Sequence, residues 1–324
     1  MKYLITGGCG FIGSHLTEKI LSGENEIFVI DDLSTGSLSN VEKFMDKKNF
    51  HLFIDTIMNS SILEELIKKC DFVFHLAAVV GVKRVMENPV DSVIINVEGS
   101  YNVLKVCARH GKKIFLASTS EVYGKNENIP FMEDADIIIG NTKKKRWSYA
   151  CTKAIDEFLA FAFFEEKKLP VIVGRFFNTV GPRQSDRYGM VIPRFIKQAL
   201  NNLPMTVFGK GGQTRCFVHV GDIIEGVVKL IGKDEAYGEV FNMGSTEEIS
   251  IKDLAYMIKD ATRSSSEIIF VNPETVYSKG FEDMNRRVPD ISKIRNLIGF
   301  SPRFTIRDII ADCLKDIKSS ARAQ

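Results

Sequence analysis

An apolar run, Tyr3-Leu4-Ile5-Thr6, passes straight into Gly7-Gly8-Cys9-Gly10-Phe11-Ile12-Gly13 and then into helix-period sequence up to Leu21. Glycines at this spacing between a strand and a helix restrict the fold more than any other feature of the chain. Glycine permits the tight turn, lets a backbone or a pyrophosphate come close, and leaves the N–H donors of the helix N-terminus facing an anion. The spacing is GxxGxxG rather than GxGxxG, so the turn by itself fits either a dinucleotide site or a plain strand-to-helix connection. The second apolar run ends in Val29-Ile30-Asp31-Asp32, at the separation expected of an acid that binds the adenosine ribose hydroxyls. Asp31 is the residue selected for that role, with Asp32 beside it. A carboxylate there repels a 2′-phosphate and no arginine follows immediately, which favours NAD over NADP. Asp55, after His51 to Ile54, fits either an adenine amino group or a structural turn.

Further short apolar runs at Phe72 to Leu76, Lys113 to Ala117 and Pro170 to Gly174 alternate with helical patterns such as Asp91 to Ala108. Strands alternating with helices make βαβ units, and those make a parallel sheet covered on both faces. The expected class is therefore α/β, a Rossmann-type doubly wound parallel sheet over residues 1–175. Beyond Phe176 the texture changes: Gly181-Pro182, Gly211-Gly212, Asn272-Pro273 and Ser301-Pro302 punctuate shorter elements around helical patterns at Ile251 to Ala261 and Ile306 to Lys318. A smaller substrate domain is expected from residues 176–215 and 246–324. Cys216 to Ile231 reads as a strand and helix that return to the main sheet, so residues 216–245 are assigned to the first domain.

With 43 basic and 41 acidic side chains among 324 residues, the charge is too balanced for a nucleic-acid binder, and any anionic ligand has to be gripped locally. No stretch has the apolar length of a membrane span. The six cysteines lack CxxC spacing, which indicates neither a zinc site nor a disulfide framework and fits a reducing, cytoplasmic setting. The N-terminus runs directly into a strand, leaving no room for a signal peptide.

Tyr149-Ala150-Cys151-Thr152-Lys153 sets a tyrosine and a lysine four apart, on one helix face. A phenol titrates near ~10 in water and accepts a sugar hydroxyl proton at neutral pH only where positive charge, from Lys153 and an oxidised nicotinamide, stabilises the phenolate. Upstream, Leu116 to Gly124 is a strand ending in Thr119, Ser120 and Glu121. In open α/β sheets ligands bind beyond the carboxyl ends of the strands, so these groups belong to the nicotinamide crevice. Thr119 can share the hydroxyl proton with Tyr149, and Glu121 is either a catalytic carboxylate or a loop acid that caps the next element. The basic run Lys143-Lys144-Lys145-Arg146 is read as a solvated loop rather than a docking site for an acidic partner.

Taken together, Gly7 to Gly13, Asp31, Phe74 to Ala78, Ser118 to Gly124, Tyr149 to Lys153 and Arg175-Phe176-Phe177-Asn178-Thr179-Val180-Gly181-Pro182-Arg183 resemble the extended short-chain dehydrogenase/reductase family over nearly the whole chain. The resemblance implies NAD held by Gly7, Gly10, Phe11, Ile12, Gly13, Asp31, Asp32, Asp55, Leu76, Ala77, Ala78, Asn96, Tyr149 and Lys153. It implies a nucleoside-diphosphate sugar, UDP-linked, oxidised at C4 by the set Thr119, Tyr149 and Lys153. By the same resemblance Asn178, Arg215 and Arg287 contact the diphosphate and Thr206 to Phe208 border the base. Arg183, Val191 and Gln213 complete the implied substrate site.

The pair Ser120-Glu121 is similar to UDP-glucuronate decarboxylases, and Thr-Ser-Glu also to GDP-mannose 4,6-dehydratases. The segments Glu133 to Tyr149 and Tyr277 to Pro289 resemble decarboxylating members and UDP-apiose/xylose synthases, with Arg287 matching an active-site arginine. Phe176 to Val180 and Gln184 to Phe195 look more like general epimerase/decarboxylase members. The expected reaction is UDP-glucuronate decarboxylation, where a C4 ketone β to the C6 carboxylate takes up its electrons as an enolate without a metal. There Thr119, Ser120, Glu121, Tyr149, Lys153 and Arg287 form the catalytic set. A UDP-sugar 4-epimerase, acting on UDP-glucose or UDP-glucuronate, and an NDP-sugar 4,6-dehydratase are the enzymatic alternatives. An NAD-binding scaffold or sensor is the non-enzymatic one, because fold does not fix function. Broad apolar faces on Asp91 to Ala108 and Lys153 to Lys167 lead us to expect a homodimer.

Overall fold

The computed structural model describes residues 1–186, 190–272, 275, 282 and 284–322. Six strands and five helices come first: β1 (Lys2–Thr6), α1 (Phe11–Leu21), β2 (Glu26–Asp31), β3 (Phe50–Ile54), α2 (Ser60–Lys69), β4 (Phe72–His75), α3 (Val82–Glu87), α4 (Pro89–Arg109), β5 (Lys113–Thr119), α5 (Ser148–Lys167) and β6 (Val171–Phe176). There follow β7 (Thr179–Val180), α6 (Val191–Leu200), β8 (Met205–Phe208), β9 (Thr214–Cys216), β10 (Val218–His219), α7 (Val220–Leu230), β11 (Glu239–Met243), β12 (Glu248–Ser250), α8 (Ile251–Thr262), β13 (Ile268–Val271), α9 (Ser292–Ile298) and α10 (Ile306–Arg322).

The main sheet has the order β11-β6-β5-β4-β1-β2-β3, parallel throughout. This is the doubly wound Rossmann-type sheet expected. Its strands are near-continuous apolar runs because both faces are covered. Alternate residues sort the two sides: Ile5, Val29, Phe74, Phe115 and Ile172 pack with α1 and α7, while Leu4, Ile30, Val73, Leu116 and Val173 pack with α2, α4 and α5. A second core is built by α6, α8 and α10 around Phe195, Leu254 and Ile309. A small third cluster, Tyr123, Phe131, Trp147, Ala150 and Phe177, lies under the point where α5 begins.

The return to the sheet differs from the reading of Cys216 to Ile231. Its helix, α7, does pack on the main core, but the strand that joins the sheet is β11, pairing with β6 through Val240 and Val173. The segment before α7 goes elsewhere: β9 pairs antiparallel with β12, and the two-residue β10 pairs with β7. The edge of β6 is the free edge available to a parallel strand, and Glu239–Met243 reaches it only after α7 has crossed the sheet.

Candidate active site

β1 ends at Thr6, and Gly7 turns the chain at a φ of +74° while its N–H donates to the Ile30 carbonyl at 2.8 Å. A side chain at Gly7 would stand 2.9 Å from the Ala77 nitrogen, and one at Gly13 would stand 2.2 Å from the Gly7 oxygen, so both positions require glycine. α1 starts from Gly10 with no side-chain cap, which leaves its first N–H groups open to an anion. Asp31 closes β2, accepting from the N–H of Cys9 at 2.9 Å and of Leu33 at 2.8 Å. Burial pushes its carboxyl up and these N–H donors pull it back. Asp32 accepts from the Ser34 N–H, and Asp55 from the Thr56 N–H and the Asn59 amide, which anchors the turn before α2.

Across the cleft, the Leu76 and Ala77 N–H groups donate to the Thr6 hydroxyl, each at 3.2 Å. Asn96, buried on α4, holds the next turn by accepting from the Val79 N–H at 2.7 Å and donating back to its carbonyl at 3.2 Å. Gly7, Gly10 to Gly13, Asp31, Asp32, Asp55 and Leu76 to Ala78 all line one cleft, and Ser34, Thr35, Val79 and Val80 extend it. Open helix N–H donors, a ribose-height carboxylate and an apolar floor fit a dinucleotide.

The same cleft continues to Thr119, Ser120, Glu121, Arg146, Tyr149, Lys153, Asn178, Gln184, Met190 and Arg287. The Thr119 hydroxyl accepts from the Glu121 N–H, which starts a single 3₁₀ turn over Ser120–Tyr123 and swings Glu121 into the cleft. The Thr119 hydroxyl also stands beside the Tyr149 phenol. Burial, followed by the charges of Glu121 and Asp156, pushes the Tyr149 phenol well above its ordinary value. Ser120 lines the cleft with a buried hydroxyl that has no hydrogen-bond partner among the described residues. Lys153 is buried and paired with Asp156 at 2.7 Å.

Glu121 carries the main charge of the site. Arg146 grips it in a bidentate pair, one arm at 2.9 Å, and Arg287 adds a contact at 3.1 Å. Burial alone would raise its carboxyl, but Arg146, Arg287 and the more distant Arg215 outweigh that and hold it at about 2. The acid is ionised at every physiological pH. Arg146 corrects the reading of its basic run as solvated: Lys143 and Lys145 are exposed, whereas Arg146 is buried against Glu121. Its position three residues before Tyr149, next to a tryptophan, was the available signal.

Beneath these groups Arg175 on β6 pairs with Glu157 of α5 at 2.7 Å and donates to the Tyr123 hydroxyl at 2.8 Å. That hydroxyl donates in turn to the Asn242 side chain on β11 at 2.8 Å. The network locks β5, β6, β11 and α5 together under the catalytic turn.

The remaining expected substrate residues do not line the cleft. Arg183 is the clearest correction: its φ of +67° turns it onto α1, where it pairs with Glu18 and reaches Ser14, while its N–H donates to Asp316. It joins α1 of the main core to α10 of the second. Thr206 and Phe208 lie on β8, with the Arg194 guanidinium 4.5 Å from the Phe208 ring and Gln213 donating to the Phe208 carbonyl. Val191 opens α6 directly after the cleft residue Met190. Arg215 is buried and bonds the Thr214 and Asn285 carbonyls. Asn178 donates to the Cys216 carbonyl at 2.9 Å. Of the segments used for the resemblance, Tyr277 to Phe281, Asp283 and Arg187 to Gly189 lie outside the described residues, as does Pro273.

Among the described residues no three His, Cys, Asp or Glu side chains gather as a metal site, and no helix is long and apolar enough to cross a membrane. Residues 4–313 match the family model described as GDP-mannose 4,6 dehydratase. The chain is 40% identical over 302 residues to a UDP-N-acetyl-alpha-D-glucosaminuronate decarboxylase of Bacillus cytotoxicus, covering 93% of this chain and 92% of the relative. It is 36% identical to the UDP-glucuronic acid decarboxylase 1 of Xenopus tropicalis, over 93% of this chain and 68% of the relative. Its structure matches that of a UDP-glucuronic acid 4-epimerase from Bacillus cereus in complex with UDP-glucuronic acid and NAD, with a TM-score of 0.89, 29% identity and coverage of 99% and 100%.

Proposed function

The chain belongs to the GDP-mannose 4,6 dehydratase family of extended short-chain dehydrogenases/reductases, and from that premise we propose that it decarboxylates a UDP-hexuronate, UDP-glucuronate or its 2-acetamido analogue. One observation carries the choice within the family. A single buried carboxylate, Glu121, faces two guanidiniums in contact and a third nearby. Arg146 and Arg287 line the cleft, where guanidiniums recognise an anionic group of a ligand. A sugar bearing a C6 carboxylate supplies that anion; a neutral hexose does not.

The glycine turn and Asp31 would hold NAD, which would supply a reversible hydride acceptor for C4. Tyr149, on one helix face with Lys153 and beside Thr119, takes the proton of the C4 hydroxyl. The C4 ketone is β to the carboxylate, so breaking the C5–C6 bond releases carbon dioxide and leaves its electron pair as an enolate ending on the C4 oxygen, and a proton from water then adds at C5 to restore the ketone before its reduction. Tyr149 and Thr119 stand at that oxygen to stabilise the charge. Ser120 points its unpartnered hydroxyl into the same space, and Arg146 and Arg287 hold the carboxylate beside Glu121. A carboxylate held at about 2 is a weak base, which counts against the dehydratase alternative, where Glu121 removes the C5 proton. The structural likeness to a UDP-glucuronic acid 4-epimerase keeps one second reading, with the same substrate and an inverted C4.

Purified protein incubated with UDP-glucuronate, its 2-acetamido analogue, UDP-glucose and GDP-mannose decides between these by mass spectrometry. Loss of carbon dioxide from an acidic sugar is expected; an isomer of unchanged mass establishes the epimerase and overturns decarboxylation. Arg146→Leu should lower kcat/KM for the acidic sugar by about 10²-fold, since removing one partner of a buried charge pair costs about 2–5 kcal/mol. An unchanged kcat/KM removes Arg146 from carboxylate recognition.

The protein is further read as a cytoplasmic homodimer. Six unpaired cysteines support the reducing compartment. α4 and α5 lie side by side and expose Val93, Ile94, Tyr101, Ile155 and Phe158, the last 70% exposed. Phe158→Asp should leave a monomer by light scattering where the unaltered protein is a dimer; equal masses for the two proteins exclude this face as the interface.

A further inference from the structure

Residues 149, 153 and 156 fall at i, i+4 and i+7 on α5, so Tyr149, Lys153 and Asp156 share one face of the helix. Lys153 and Asp156 are both buried, with Asp156 wholly inaccessible, and the ammonium lies 2.7 Å from one carboxylate oxygen. The other oxygen, Oδ1, has no hydrogen-bond partner among the described residues. A buried carboxylate with an unsatisfied oxygen is a poor stabiliser, and replacing such a pair by apolar side chains is often neutral for the fold. Its presence here calls for another explanation.

The surroundings give one. Ser100 of α4 stands beside Asp156, and its hydroxyl also meets His75 Nε2 at 3.1 Å, while His75 Nδ1 meets the Thr6 hydroxyl at 2.8 Å. Burial and the Lys153 charge hold the His75 imidazole down at about 3, so it is neutral at working pH and gives Lys153 no counter-charge. Glu157, the neighbouring acid, is committed to Arg175 and Ser118. On the far side Tyr149 faces Glu121 and Arg146, and Glu121 in turn meets Arg287. Asp156 is thus the one acid in contact with Lys153 among the described residues.

We propose that Asp156 is a positioning residue acting through Lys153: its carboxylate holds the ammonium on the inner face of α5 and offsets its field at Tyr149, so that the phenol becomes a base only when an oxidised dinucleotide ring adds its own positive charge. The device ties proton abstraction to cofactor state. The inference rests on Tyr149 being the base of C4 oxidation.

Phenolate absorbance, titrated in the NAD-bound protein and taken as the difference from Tyr149→Phe, reads Tyr149 without any sugar present. A carboxylate near a phenol disfavours the phenolate, so its removal favours it. Asp156→Asn should therefore move the titration to lower pH by about one unit, about tenfold more phenolate at a given pH on the acid side. Asp156→Glu keeps the charge and should titrate close to the unaltered protein. A titration unmoved in Asp156→Asn overturns the proposal, whatever the variant does to thermal stability. Where Asp156→Asn does not fold, Asp156→Ser is titrated in its place and must move to lower pH or the proposal fails; in a Lys153→Met background, where no ammonium is left to offset, loss of the Asp156 charge should move the titration much less. Because no sugar enters the measurement, a shifted titration with no turnover of any UDP-hexuronate leaves Asp156 in its role and removes the proposed reaction instead.

Discussion

Tyr149→Phe is expected to lower turnover by about 10²–10⁴-fold, the range for losing a positioned proton-transfer group, while NAD remains bound. The phenyl ring fills the space of the phenol, so packing around Ala150 and Trp147 is kept and the glycine turn is untouched. What disappears is the single hydroxyl beside Thr119 to which the proposed reaction assigns removal of the C4 hydroxyl proton. Because the step needs that proton removed, the loss falls on kcat with KM little changed. Single-turnover kinetics with a UDP-hexuronate, alongside the NAD content of the purified variant, measures both. Unaltered turnover would remove Tyr149 from the chemistry, and equal behaviour of the two proteins in every assay would favour the scaffold reading over an enzyme.

Arg175→Ala acts on the fold instead. It strips the guanidinium from a buried pair with Glu157 and leaves the Tyr123 hydroxyl and the Glu133 carbonyl without their donor. Removing one partner of a buried pair costs about 3–5 kcal/mol because the remaining charge is left uncompensated in the interior. The midpoint of denaturant unfolding should fall accordingly, with the slope unchanged. Arg175→Met combined with Glu157→Gln removes the charges together and should recover much of the loss. A midpoint unmoved in Arg175→Ala would show that Glu157 finds water or another cation.

The legible part of this protein is what neighbours in sequence decide. The turn from Thr6 to Gly13 is dictated by backbone clearance at Gly7 and Gly13, and Tyr149 and Lys153 meet through helix periodicity, so both could be read directly. Arg146 was misread because its burial depends on Glu121, a partner 25 positions away that nothing local announces. Arg183 sits in a motif suggesting a ligand, yet a left-handed turn delivers it to Glu18, 165 positions earlier. Likewise the Arg175 network draws on residues as far apart as Tyr123 and Asn242, and no periodicity connects them. The strand inside Cys216 to Ile231 failed for the same reason: β9 and β10 pair with the distant β12 and β7, and the edge of β6 goes to a later strand, β11.

The placement of β11 beside β6 has a consequence for how the chain is made. Synthesis delivers β1 to β6 in order, but the outer edge of β6 stays open until Glu239–Met243 leaves the ribosome, and the whole of α6 and α7 emerges in between. During that interval an apolar strand, Val171 to Phe176, presents unpaired N–H and carbonyl groups, the condition under which nascent chains pair wrongly with one another. Arg175 meanwhile waits for the Tyr123 hydroxyl to gain its Asn242 acceptor. The main sheet of this protein therefore completes late, and the vulnerable window in its biogenesis spans the synthesis of α6 and α7.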